Sequence, residues 1–303
     1  MPTTEAEGML LAARAADGGW PYKAGLASRV EPTALAALAL GPASPASSGA
    51  RAWLARAQQR DGSWSAAEGA SRSAWPTPLA MLALAADPAG AAADRITRAT
   101  RFLLSARPAV LEDAGPVKLR GTLRGWAWTA DAFSWVEPTS YAILALKKCF
   151  NPDVGAGDSG AGPGFTKDLR ARLGEAEAML RDRMCEGGGW NFGNPAAFGV
   201  PIRAFPVPTA VALIALQDDR GHPGMSSSLA ILSRIATAEP SMLGLGWALA
   251  ALRIFGVAGS EVEEGLAREC SAVPGRDTGP DVPSLAMAAL ARADDDRLEA
   301  LRL

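Results

Sequence analysis

Gln58-Gln59-Arg60-Asp61-Gly62-Ser63-Trp64, followed by Pro76-Thr77-Pro78-Leu79-Ala80-Met81-Leu82-Ala83-Leu84, is the stretch on which the fold turns. The second part is apolar on every side, so a helix formed there is buried all round. Its Pro-Thr start suits helix initiation: proline at the first helical position forgoes only an amide that would be orphaned anyway, and its fixed φ fits the helix. The first part reads as the preceding turn, with glycine free to take the left-handed conformation that ends a helix and tryptophan burying a large surface over it. Upstream, Ala50, Trp53, Leu54 and Ala57 recur at i, i+3, i+4, i+7 with Arg51, Arg56 and Gln59 on the other face. That pattern predicts a half-exposed amphipathic helix.

This unit recurs along the chain. Proline followed by threonine or serine opens an Ala/Leu-rich run at Pro32-Thr33, Pro76-Thr77, Pro138-Thr139, Pro208-Thr209, Pro240-Ser241 and Pro283-Ser284. Amphipathic segments precede these starts at about 3 to 16, 94 to 104, 169 to 180, 225 to 237 and 259 to 271. Alternating half-exposed and wholly buried helices satisfy a double ring. The expectation is an all-α fold, an (α/α)6 toroid of six helical hairpins forming one domain over residues 1–303. The intervals between starts are uneven, with insertions at about 106 to 137 and 150 to 207. Residues 151–164, NPDVGAGDSGAGPG, read as a mobile loop; the nominal G-x-G-x-x-G at Gly155, Gly157 and Gly160 follows no strand and is not a phosphate loop.

With 49% hydrophobic residues and a net charge of −2, the chain has material for a core and no basic field for a phosphate backbone, so nucleic acid is not an expected partner. The start carries Glu5 and Glu7 where a signal peptide needs positive charge, and the longest apolar runs fall short of the ~20 residues that span a bilayer. Cys149, Cys185 and Cys270 are odd in number and widely spaced, which fits a reducing compartment. The cytoplasm is expected, with peripheral membrane contact and a second chain left open.

Gln58, Gly62 and Trp64 form Q-x-x-x-G-x-W, with weaker copies at Asp17-Gly18-Gly19-Trp20 and Gly187-Gly188-Gly189-Trp190 and a degraded one at Gly125-Trp126. The chain thereby resembles the squalene-hopene cyclase and protein prenyltransferase superfamily over nearly its whole length. The resemblance implies the toroid, in which the motif ties neighbouring hairpins together, but its chemical motifs are altered. The zinc site of the prenyltransferases has no match: His222 is the one histidine, Asp182 and Cys185 lie near the end of an outer helix, and neither metal nor other cofactor is expected. Asp294, Asp295 and Asp296 stand in a polar tail and read as a solvated charge run rather than a magnesium-binding D-D-x-x-D. The D-x-D-D-T acid motif of class II cyclases aligns with Trp135-Val136-Glu137-Pro138-Thr139. Glu137 falls on the acid's position, while Trp135 and Pro138 replace the flanking aspartates.

The candidate acids are therefore Glu137 and, as another carboxylate at the mouth of the ring, Asp131. Trp126, Trp128, Phe133, Trp135 and Tyr141 are the candidate aromatic wall, since π faces stabilise cations and equally bind long apolar molecules. Glu31 and Glu239 occupy the position of Glu137 in two other repeats, where a carboxylate otherwise offsets a helix dipole by roughly 0.5 to 1 kcal/mol. Arg29, Arg72 and Arg203 each precede an inner helix and are expected to gather at one mouth to hold the anionic end of a ligand. Two readings remain open: a divergent isoprenoid cyclase using a mouth carboxylate, and a non-catalytic toroid that binds a lipid, an isoprenoid or a partner's peptide.

Overall fold

The computed structural model describes residues 5–67, 74–112, 114–150, 164–273, 279–293 and 295–303. Along the chain run α1 (Glu5–Ala12), α2 (Val30–Leu40), α3 (Pro45–Ala57), α4 (Thr77–Ala85), α5 (Ala93–Ser105), α6 (Val136–Cys149) and α7 (Phe165–Asp182). After a short hairpin come α8 (Pro206–Ala215), α9 (Pro223–Ala238), α10 (Met242–Phe255), α11 (Ser260–Ser271), α12 (Val282–Arg292) and α13 (Asp295–Leu298). All six apolar runs form helices that begin within two residues of the proline expected to start them. They pack in the cyclic order α2, α4, α6, α8, α10, α12 and back to α2, which closes the inner ring. The outer helices α1, α3, α5, α9 and α11 each touch two inner helices, and α7 packs on α6.

Nearly every residue of α2, α4, α8 and α12 is buried, as their unbroken apolar sequences require. Close approach is visible between α10 and α12, where a Cβ on Gly246 would meet the Met287 backbone at 2.9 Å. Such contact between ring neighbours admits only glycine.

The tryptophan turn acts as a lock with two bolts. The indole N–H donates to an outer-helix carbonyl: Trp20 to Leu10 at 2.8 Å, Trp64 to Leu54 at 2.7 Å, Trp190 to Leu180 at 2.7 Å and Trp126 to Leu103 at 3.1 Å. Those carbonyls lie in the last turns of their helices, where the regular backbone ladder runs out and an extra donor is accommodated. The tryptophan's own backbone N–H donates to the threonine hydroxyl of the next Pro-Thr start: Thr33, Thr77, Thr139 and Thr209, at 2.8 to 3.0 Å. Gln58 extends the tie to the neighbouring hairpin by donating to the Arg95 carbonyl at 2.9 Å and accepting from Arg98 at 2.7 Å. Gly62, at φ +95°, lies so near the Arg98 carbonyl that a Cβ would meet it at 2.6 Å. Trp126 belongs to this lock, and its indole is buried.

The two insertions meet. Pairing joins Val117 to Ala197, the Phe198 amide donates to the Pro116 carbonyl at 2.8 Å, and the Asp182 carboxylate accepts the Arg120 amide at 2.8 Å. The hairpin strands β1 (Ala196–Ala197) and β2 (Val200–Pro201) turn at Phe198, whose φ is +51°. Of the expected mobile loop at 151–164, all but Gly164 lies outside the described residues, as do Arg72 and Asp294.

The far end of the ring departs from expectation. The tail is not wholly solvated: α13 and the turn at Glu299–Leu301 pack on α2, α4, α6 and α12, burying Leu298 and Leu301, while Asp296 stays exposed. Lys148 donates to the Glu299 and Arg302 carbonyls at 2.6 and 2.7 Å, and Gln217 to the Leu301 carbonyl at 2.8 Å. The apolar residues among the charges give the tail an inner face that plugs the ring.

Candidate functional site

The opposite end, where the inner helices begin, gathers the titratable groups. Glu31 and Glu137 stand in the first turns of α2 and α6, the two helices that flank α4. Neither carboxylate caps its helix. The Tyr22 hydroxyl donates to Glu31 Oε2, and the loop carrying Tyr22 is pinned to α12 because its carbonyl accepts the Val282 amide at 2.9 Å. Glu137 accepts no hydrogen bond and pairs with no cation among the described residues. Tyr141 follows it at i+4, one turn deeper on the same helix face.

Tyr141 and Trp247 touch with ring centroids 5.9 Å apart, although α6 and α10 are not neighbours in the ring. They therefore meet across the lumen and floor the mouth. Below them the ring is filled with buried Leu and Ala side chains down to the tail plug. The opening is a bowl, not a channel.

Burial pushes Glu31 and Glu137 from the usual 4.5 up to about 7. The charge of Glu31 adds to the rise at Glu137; at Glu31, Asp281 adds and the Tyr22 hydrogen bond opposes. Burial and then Glu137 and Glu31 push Tyr141 up, while burial and Glu31 do the same for Tyr22, against the opposing charge of Arg29. Two interacting carboxyls with values near 7 hold about one proton between them at neutral pH. Both are half-buried at the end of the ring where the inner helices begin.

Of the other expected residues, Trp128 lies edge-on to Trp75 at 4.8 Å, and Phe133 stacks on Trp135 at 5.3 Å beside the start of α6. Asp131 is exposed on a turn and is not among the groups whose charge reaches Glu137. The expected cluster of arginines is not formed by the two that are described. Arg29 lies near Tyr22 at the start of α2, whereas Arg203 precedes α8 on the opposite side of the ring. Arg203 is gripped by Glu239 at 2.6 and 3.0 Å and lies over Phe205, so repeat spacing brought two neighbours together as an ion pair instead. His222 caps α9 by accepting the Gly224 amide at 3.1 Å, and Cys185 is buried. Among the described residues, no three His, Cys, Asp or Glu side chains converge as metal ligands.

Solved structures of low sequence identity share this architecture. The type II terpene cyclase MstE from Scytonema, bound to geranylgeranyl dihydroxybenzoate, superposes with a TM-score of 0.54 at 17% identity, over 98% of this chain and 95% of that one. The chain has the fold of the type II terpene cyclases. A protein from Actinoplanes matches with a TM-score of 0.51 at 14% identity over 98% of this chain and 97% of that one. Salmonella alpha-2-macroglobulin matches at 0.50 and 16% identity, over 97% of this chain but 18% of its own. No family model and no curated protein matches. A fold common to a cyclase and a macroglobulin does not fix a reaction, so the mouth must carry the functional argument.

Sequence reasoning missed Tyr22 and Trp247. Tyr22 sits in a loop without periodicity, and Trp247 is hidden inside an apolar run. One signal was available for the first: the chain has two tyrosines, Tyr22 and Tyr141, and both adjoin the acid pair.

Proposed function

We propose that the chain is a divergent acid-initiated cyclase of isoprenoid substrates, with Glu137 as the proton donor. The observation that carries this reading is a carboxyl with a value near 7 and no hydrogen-bonding partner among the described residues, one helical turn from Tyr141, whose ring touches Trp247. Burial keeps about one proton on the Glu31–Glu137 pair at neutral pH, so a protonated donor is present in a large share of the molecules. The Glu137 O–H would pass a proton to an epoxide oxygen or an activated alkene carbon, leaving Glu137 as a carboxylate. The cation formed is stabilised by the aromatic faces, and its proton, lost on ring closure or elimination, returns to Glu31 or Glu137. An acid this weak suits an epoxide or activated alkene better than a plain one. Geranylgeranyl dihydroxybenzoate, the ligand of MstE, heads the panel of substrates to be tried, followed by shorter isoprenoids and their epoxides.

The filled lumen favours a second reading, in which the bowl binds an isoprenoid, a lipid or a partner's peptide without transforming it. Glu137→Gln separates the two. Loss of turnover with the fold retained supports the acid role; undiminished turnover leaves Glu137 a helix-start residue; binding without turnover by the parent protein favours the second reading.

A further inference from the structure

A second cavity lies outside the inner ring, and no step of the proposed reaction uses it. It occupies about 240 Å³ between the start of α4, the end of α5 and the insertion that replaces the usual turn before α6. In the first, second and fourth repeats the tryptophan follows ten residues after the leucine whose carbonyl it holds, whereas Trp126 and Leu103 are 23 residues apart. The detour leaves this gap unfilled. Trp75, Phe102, Trp126, Pro78 and Pro138 form its walls, with alanines between them.

The polar feature that fixes an orientation is Arg107. It lines both this cavity and an adjoining polar one of about 300 Å³. Its Nη1 donates to the Leu104 and Ala106 carbonyls at 2.6 and 3.0 Å, while its Nε and Nη2 donate to no described group. A dry cavity of about 150 Å³ accepts one benzene, so by proportion this one has room for roughly nine or ten carbon atoms.

We propose that this cavity binds a compact anionic amphiphile, a hydrocarbon chain of about ten carbons whose carboxylate or phosphate meets Arg107. The site is independent of the acid role of Glu137. Decanoate and geranyl phosphate carry the same chemistry from two sources, and decanol lacks the charge. Calorimetric titration of the full chain with each is the test, alongside Arg107→Gln and two cavity-filling variants in the insertion, Ala127→Leu and Ala130→Phe.

At least one anionic probe should bind, roughly tenfold more tightly than decanol; the stronger of the two identifies the source. Arg107→Gln should bring that probe down to the level of decanol. Either filling variant should weaken all binding while melting at the parent temperature. No binding of any probe, binding unchanged in both filling variants, or binding abolished by Glu137→Gln would each overturn the proposal, the last by moving the ligand to the bowl.

Discussion

Glu31 and Glu137 are raised groups, and the sign of their effect on stability follows. A carboxyl whose folded value lies near 7 and whose unfolded value lies near 4.5 takes up protons on folding between those limits. Its stabilisation is complete below about 4.5 and is lost as pH rises through about 7. Denaturant titrations should therefore show the parent weakening between pH 5 and 8, and Glu137→Gln flattening that decline, with a gain of about 2 kcal/mol at pH 8. An unaltered slope would show that Glu137 ionises as freely in the fold as outside it. Turnover, where found, should fall over the same interval, because the donor must hold its proton. A different test suits the threonine bolts. Thr77→Val keeps the shape but strands the buried Trp64 amide, an expected loss of about 1 to 3 kcal/mol by denaturation, while Thr77→Ser should recover most of it.

At the level of elements, the Pro-Thr starts, the glycine-tryptophan turns and the 3.6-residue periodicity were legible because each is a local rule repeated along the chain. The threonine's second role was not, since a hydroxyl that accepts an amide thirteen residues upstream has no local signature. The meeting of Tyr141 with Trp247 was equally hidden: both rings lie within long apolar helices, and their contact depends on ring closure. The hairpin is a third case. Phe198 and Gly199 both have positive φ, the backbone of a turn that favours Asn-Gly, yet phenylalanine stands first and is 81% exposed. Phe198→Asn should therefore stabilise the chain by up to about 1 kcal/mol in thermal or denaturant unfolding. A loss would show that the exposed ring is held by contacts worth more than the strain.

Across the whole molecule, the mouth and the plug divide the labour between the two ends of the ring. The carboxylates, the tyrosines and the paired insertion segments around Val117 and Ala197 belong to one end, and the buried tail leucines to the other. Glu137 was located by aligning one motif and Glu31 by its equivalent place in another repeat, but that these two, more than a hundred residues apart, feel each other's charge while Glu239 pairs elsewhere depends on how the ring closes. The bowl's depth was likewise beyond a reading of repeats, because it depends on which side chains cross the lumen. Removing residues 296–303 should uncover the ends of α2, α4 and α6 and cost several kcal/mol, given the buried Leu298 and Leu301. Unfolding at the parent temperature would mean that the plug contributes nothing to the core.

Ring closure also brings the two extremities of the polypeptide together. α1 packs on α12, and Arg297 reaches Glu7 at 3.3 Å. Nothing in the packing then marks which hairpin comes first. A circular permutant with the extremities joined by a short Gly-Ser linker and the backbone opened in the exposed turn at Ala89-Gly90 should fold to the same toroid and keep the same acid pair.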